Sequence, residues 1–442
     1  MTSPVKFAAN LLSGPTARKG YTTTLDQTVV SGASFITKLA VARLGAETFG
    51  AFTLTYGLLM FANGVQTAAI TGPLGVIAPK LNGAGASTYL RASLRLQVLF
   101  VLAFAALVAL SGLALGALGH GYIRVLLLTL APAIIAWQLQ EFMRRVMFTE
   151  GRAAAVALND AVSYGIQVIG VLWLLQAGQL TPLAAFWLIT LGQGLGVILG
   201  AWQTRSSFRS PPGEPAAPTT VRLAVNRNWF MARWSLAANL VQWASEQINP
   251  YLMALLASLA LSGTYNALMN IIGIAWMLSF AAESILGPRA ARALASGGRP
   301  ALDKFIHFTY LVLTPPVIAF LLVIAVFGGP IMGLLYHHQY DAFRPQLSFL
   351  AVSAMFFFVH KPIAIGLRAL EHARPTFVAY SWSTVYTLTV NLYIIHRFGL
   401  WGALFGGLVQ SIILTVVLVQ AWRSTRRTWQ PHWTAPTQGD AA

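Results

Sequence analysis

About twelve apolar runs follow one another along this chain, each long enough at ~1.5 Å per residue to cross ~30 Å of hydrocarbon, and few carry a charge near the middle. Lipid offers no water to an exposed amide or carbonyl, so each run has to close its own hydrogen bonds as a helix. The runs lie near 25–44, 51–73, 94–118, 123–146, 155–176 and 183–202, then near 230–256, 264–286, 307–328, 347–366, 376–395 and 400–421. With 56% of its residues apolar and 9% charged, the chain is outside the range of soluble domains. The fold class expected is all-α, a polytopic membrane protein of about 12 transmembrane helices. The first run merges into a span after Lys6, Arg18 and Lys19, so no cleaved leader is expected.

A net charge of +17 raises the question of nucleic acid, and position along the chain answers it. If the spans alternate, all of the 29 Lys and Arg except Lys38, Arg43, Arg124, Arg344 and Arg397 fall on the face that carries the N-terminus. This asymmetry is the positive-inside pattern, which places both termini in the cytoplasm. The basic residues then face anionic membrane lipids, and no nucleic-acid partner is expected. The absence of Cys excludes disulfides, thiolate metal sites and cysteine catalysis. The His residues are scattered, and His337 with His338 sits in an expected loop without ligand spacing, so no metal site is expected.

The longest polar interruption, QTRSSFRSPPGEPAAPTTVRLAVNRN at 203–228, reads as a cytoplasmic linker. Six runs precede it and six follow, and the halves repeat weakly. ITGPLGVIAPKL closes the second run and SILGPRAARAL the eighth, with Gly72-Pro73 matching Gly287-Pro288. TFGAFTL from Thr48 likewise meets TYNALMN from Thr264. The organisation expected is an N-terminal six-helix lobe at 1–202, the linker at 203–228, a C-terminal six-helix lobe at 229–422 and a cytoplasmic tail at 423–442. The two lobes would be related by an axis along the membrane normal.

A charge at mid-bilayer costs about 2.5–3.5 kcal/mol on insertion scales, so polar residues inside the spans need a reason. In the first span Gln27, Ser31, Ser34 and Lys38 recur at helical spacing as one stripe. In the seventh, Ser235, Asn239, Gln242, Glu246 and Asn249 do the same, and the repeat sets Gln27, Ser31 and Ser34 on Gln242, Glu246 and Asn249. A stripe that takes Lys in one lobe and Glu in the other points to a water-filled central cavity. The alternatives for Lys38 are a buried ion pair with Glu246 or a reach to the outer interface. Arg43 and Glu47 bracket LGA and mark a turn at the outer surface. Glu141 and Asp160 lie near cytoplasmic helix ends, where solvation or the inner Arg rows account for them, while Asn63, Asn266 and Asn270 lie deep enough to face the cavity. Trp243 and Tyr251 read as core packing, with sugar stacking as the alternative.

The stretch DQTVVSGASFITKLAVARLGAETFGAFTL resembles the opening of the polysaccharide-transporter branch of the multidrug/oligosaccharidyl-lipid/polysaccharide (MOP) exporter superfamily, the group of Wzx-like O-antigen flippases. Gly151-Arg152 and Ala373-Arg374, at matching turns between the fourth and fifth spans of each lobe, belong to the same resemblance. It implies alternating access, with the first and seventh helices facing a cationic cavity that accepts a lipid-linked sugar. The sequence departs from that pattern in having few cavity Arg in its first half, which leaves Lys38 as the main cationic candidate.

The function expected is that of a flippase for undecaprenyl-diphosphate-linked oligosaccharide in a bacterial inner membrane, serving lipopolysaccharide O-antigen or exopolysaccharide biosynthesis. Substrate contacts fall to Lys38, Gln27, Ser31, Ser34, Asn239, Gln242 and Asn249. No cofactor is expected. Glu246 has no role in holding an anion; a change in its burial between two states would couple transport to a H+ gradient, and a Na+ site with Asn249 or Gln242 is the alternative. A glycan polymerase or ligase of the same pathway would be a further partner. The rival reading is a cation-coupled multidrug antiporter of the same superfamily. A membrane glycosyltransferase, polymerase or ligase would need carboxylates on a large outer loop, and the longest outer segment, YHHQYDAFRPQ from Tyr336, carries only Asp341.

Overall fold

A computed structural model describes residues 15–210, 220–370 and 374–428, with side chains from 29 onward except 278–285, 288 and 426–428. The described residues form helices and contain no strand. In the first half α1 (Pro15–Ala42) turns into α2 (Ala46–Gln66), which runs through a π-helical turn (Thr67–Thr71) into α3 (Gly72–Ile77). Next come α4 (Gly83–Ala117), α5 (Gly121–Thr149), α6 (Ala153–Gln176) and α7 (Pro182–Thr204). The second half consists of α8 (Val221–Glu246), α9 (Asn249–Leu256), α10 (Leu259–Tyr336), α11 (Arg344–Val359), α12 (Lys361–Ala369), α13 (Arg374–Tyr386), a second π-helical turn (Thr387–Asn391) and α14 (Leu392–Thr428). α10 and α14 each join two helices across a kink, at Gly298 (φ 64) and at Gly399 (φ 55), where a residue without Cβ takes up a positive φ; residues 392–398 of α14 continue the helix begun in α13.

Among the described residues, seven helical segments are by themselves long and apolar enough to cross a membrane. The π-helical turn after Gln66 and a break after Glu246 interrupt two more crossings. The outer surface is apolar where a soluble protein would be polar, with Leu107, Leu110, Ile169, Ile198, Leu311 and Leu334 exposed. The inside holds amides, including the fully buried Gln66, Gln97, Gln138, Gln140 and Gln193. This inversion suits hydrocarbon, which rewards no apolar burial and penalises an unsatisfied polar group. The result is an all-α, multi-pass membrane protein of two six-helix lobes.

Several helices run past the apolar runs. α4 begins at Gly83 rather than near 94, and α8 begins at Val221, inside the segment read as linker. The extra turns carry Arg91, Arg222 and Arg227, side chains that are soluble at headgroup level but lower the hydropathy by which a run is recognised.

Between the halves α1 and α2 pack on α10, while α8 packs on α4 and the first π-helical turn as well as on α13. At the end opposite the linker α2 and α10 cross at backbone contact. A Cβ on Gly50 would meet the Leu259 carbonyl, and one on Gly263 would meet the Ala46 carbonyl. Nearby, Arg43 Nε donates to the Leu335 carbonyl at 2.8 Å, Gln339 Nε2 to the Arg43 carbonyl at 2.7 Å, Tyr340 OH to the Ala42 carbonyl at 3.2 Å and Tyr251 OH to the Leu54 carbonyl at 2.9 Å. Arg43 therefore ties the two halves together, which its expected place in a surface turn did not anticipate.

Candidate functional site

Two adjoining cavities lie between the lobes, of about 440 Å³ and 490 Å³, and both are lined by Lys38, Tyr56, Met60, Asn270 and Gly273. A recess of about 170 Å³ in the second lobe shares Gln242, Glu246 and Trp276 with the larger one. The space is thus continuous from α5 in the first lobe to α12 in the second.

On α1, Ser31, Ser34 and Lys38 face the first cavity together, as their spacing requires. Thr37 lies on the opposite side, where Gln167 Nε2 of α6 donates to it at 2.9 Å and fixes the rotation of the helix. The Lys38 ammonium lies 5.0 Å from the centroid of the Tyr56 ring, whose hydroxyl is 3.2 Å from Ser34 Oγ. Among the described residues no carboxylate stands within 4.0 Å of Lys38, so the alternative of an ion pair with Glu246 is not realised. The Gln27 side chain lies outside the described residues.

On α8, Asn239, Gln242 and Glu246 line the larger cavity. Glu246 accepts a hydrogen bond from Tyr380 OH at 2.9 Å and a longer one from Gln242 Nε2 at 3.4 Å. Asn249 departs from the expected stripe, because the helix stops after Glu246 and resumes at Asn249-Pro250. Pro250 has no N–H for the Glu246 carbonyl and its ring crowds it, which favours a break at this point. Carbonyls near the break are met by side chains: Gln410 Nε2 donates to the Ser245 carbonyl at 2.6 Å and Thr384 Oγ1 to the Val241 carbonyl at 3.0 Å. Asn249 is buried beyond the break and accepts from Asn391 Nδ2 at 3.0 Å, with its residue lining the recess.

The first lobe supplies charges that the sequence reading assigned to helix ends. Glu141, Arg144 and Arg145 of α5 line the cavity that holds Lys38. Arg144 NH1 lies 2.9 Å from Glu141 Oε2 and its Nε 2.9 Å from Asp160 Oδ2, while Arg145 NH2 lies 3.5 Å from Glu141 Oε1. Gln140 Nε2 donates to Asp160 Oδ1 at 2.9 Å. The expected pairing with inner Arg is present, but inside the interlobe space, so Lys38 shares this wall with two further basic residues, both ion-paired. Asn63, Asn266 and Asn270 also line the cavities. Trp243 packs edge-on to Phe61 at 4.9 Å and lies 5.7 Å from Tyr251, which is the packing role expected of it.

The arrangement offers an anion the ammonium of Lys38 beside an Arg144–Arg145 pair that is ion-paired with Glu141 and Asp160, and sets Glu246 with Lys361 in the recess on the far wall. No protein-family model matches the sequence, and no curated protein matches it. Its fold is that of known transporters. The inward-facing conformation of a multidrug resistance MATE family transporter of the MOP superfamily matches with a TM-score of 0.69 at 13% identity, over 91% of this chain and 96% of that one. An outward-facing conformation of a multidrug resistance MATE family transporter matches with a TM-score of 0.60 at 14% identity, over 92% and 94%. A MOP superfamily transporter from Pyrococcus furiosus, described as having a binding pocket of reverse polarity that suggests a different function, matches with a TM-score of 0.61 at 14% identity, over 93% and 96%. The chain thus shares the fold of these transporters.

Proposed function

We propose that the protein is a flippase that moves a polyprenyl-diphosphate-linked oligosaccharide across a bacterial inner membrane by alternating access, for surface or exopolysaccharide assembly. Lys38 carries this reading: an ammonium group on a cavity wall between the lobes, with no carboxylate within 4.0 Å among the described residues, is a site for an anion. Arg144 and Arg145 stand on the same wall, offset by Glu141 and Asp160, which leaves the positive charge of Lys38 in excess there. The seal opposite the linker, and the higher TM-score to an inward-facing relative, support a state open toward the linker, which the charge asymmetry assigns to the cytoplasm along with both termini. In that state the cavity would take the head group from the leaflet where it is made. Glu246 is left for coupling to H+ or Na+.

A cation-coupled multidrug antiporter is the second reading, favoured by Glu246 in the recess and by MATE relatives of the same fold. Reconstituted protein distinguishes the two. The flippase reading expects proteoliposomes to expose a fluorescent undecaprenyl-diphosphate-linked oligosaccharide to external quencher and to leave ethidium where it is. Ethidium transport driven by a pH or Na+ gradient, without lipid flipping, would establish the antiporter instead.

A further inference from the structure

Resting on the flippase reading, we infer that the cavity has two chemically distinct poles, and that the first sugar of the substrate is held by the uncharged side chains of Asn239, Asn270 and Trp276 on the larger cavity, apart from the arginines of α5. Five buried polar atoms on the cavity linings have no hydrogen-bond partner: Asn63 Oδ1 and Arg145 Nε beside the first cavity, Asn239 Oδ1 and Trp276 Nε1 beside the larger one, and Asn270 Nδ2, whose residue lines both. In a low-dielectric interior such groups are costly unless something meets them. The composition of the set says what that is. A diphosphate calls for donors alone, and an organic cation for acceptors or a carboxylate. On the side of the larger cavity two amides and an indole N–H carry no net charge and offer two donors and an acceptor, as hydroxyl groups require, whereas the guanidinium Nε of Arg145 stands on the other side.

The position of the set agrees with the chemistry of the substrate. In a polyprenyl-diphosphate-linked glycan the first sugar is bonded directly to the phosphate, so its site must adjoin the anion site. Asn270 and Lys38 line both cavities and form that junction. From there the larger cavity leads to Asn239 and Trp276, while the other leads to Arg144 and Arg145. Asn239 reaches the cavity because α2 presents Gly64 to it; a Cβ there would stand 2.8 Å from Asn239 Oδ1. The head group therefore lies across the interlobe space with phosphate toward α5 and sugar toward α8 and α10.

The test compares binding of two lipids, undecaprenyl diphosphate and undecaprenyl-diphosphate-N-acetylglucosamine, to protein in nanodiscs. Trp276→Phe and Asn270→Leu should each weaken the glycosylated lipid about five- to tenfold, the effect of one lost hydrogen bond, and leave the bare lipid within about twofold. Lys38→Ala should weaken both. Asn239→Ser, a smaller change, repeats the test if either variant fails to fold. Equal loss of both lipids in the Trp276 and Asn270 variants, or loss of neither, overturns the two-pole arrangement while the flippase reading stands. Wild-type protein that binds neither lipid overturns the flippase reading and this inference with it.

Discussion

Replacing Gly263 by alanine should open the end of the cavity opposite the linker. A Cβ at this position would stand 2.7 Å from the Gly50 amide nitrogen and would overlap the Ala46 carbonyl oxygen, and both are backbone atoms that no rotamer change can move aside. Ordinary contact begins near 3.4 Å, so α2 and α10 must separate by about an ångström. The four hydrogen bonds of Arg43, Gln339, Tyr340 and Tyr251 across this seal span 2.7–3.2 Å, and such a shift carries them beyond bonding distance. At ~0.5–1.5 kcal/mol each, their loss raises the free energy of the closed arrangement by about 2–6 kcal/mol, which multiplies the open population by roughly thirty or more. The chain has no Cys, so a single cysteine at Thr53, on the cavity wall, is the only thiol present. Its labelling by an impermeant maleimide from the side opposite the linker should accelerate by at least tenfold in Gly263→Ala. An unchanged rate in folded protein would refute the idea that this crossing holds the cavity shut.

Arg144→Leu leaves Glu141 and Asp160 buried without their shared guanidinium and should destabilise the protein by about 3–5 kcal/mol, read as a lower melting temperature in detergent; adding Asp160→Leu should restore part of it, and no change in either variant would show that the cluster is not structural. Glu246→Gln keeps an acceptor for Tyr380 OH but fixes the charge at zero, so lipid binding should survive while the dependence of flipping on pH or Na+ disappears; wild-type dependence in this variant would remove Glu246 from coupling. A cysteine at Gly213 should be labelled by impermeant reagent only after intact spheroplasts are opened, and labelling beforehand would overturn the cytoplasmic placement of the linker.

The twelve crossings were legible because hydrocarbon imposes a length and an apolarity that leave a one-dimensional trace. Ser31, Ser34 and Lys38 were legible for a related reason, since a helix repeats its face and apolar neighbours set off a polar stripe. At Asn249 periodicity implied a continuous helix, and Pro250, visible in the sequence, carried the contrary signal; the residue still lines the recess with Gln242 and Glu246. Arg144 and Arg145 were read only as inner-face charges because hydropathy locates the end of a span and not the depth to which a cavity reaches. The crossing of α2 and α10 at Gly50 and Gly263, and the bonds from Arg43 to Leu335 and Gln339, left no local trace. They depend on which distant helices meet, and a glycine or an arginine at a turn reads alike with or without a partner.

The central claim is that an anionic lipid head group is held at Lys38, and a charge series at that position tests it most directly. Flipping of fluorescent undecaprenyl-diphosphate-linked oligosaccharide would be followed in proteoliposomes containing wild type, Lys38→Arg and Lys38→Ala at equal reconstitution. Losing a charge-assisted contact in a partly desolvated cavity costs about 2–4 kcal/mol, so Lys38→Ala should flip about 30- to 1,000-fold more slowly at low substrate, with Lys38→Arg in between. Wild-type flipping by Lys38→Ala would contradict the account.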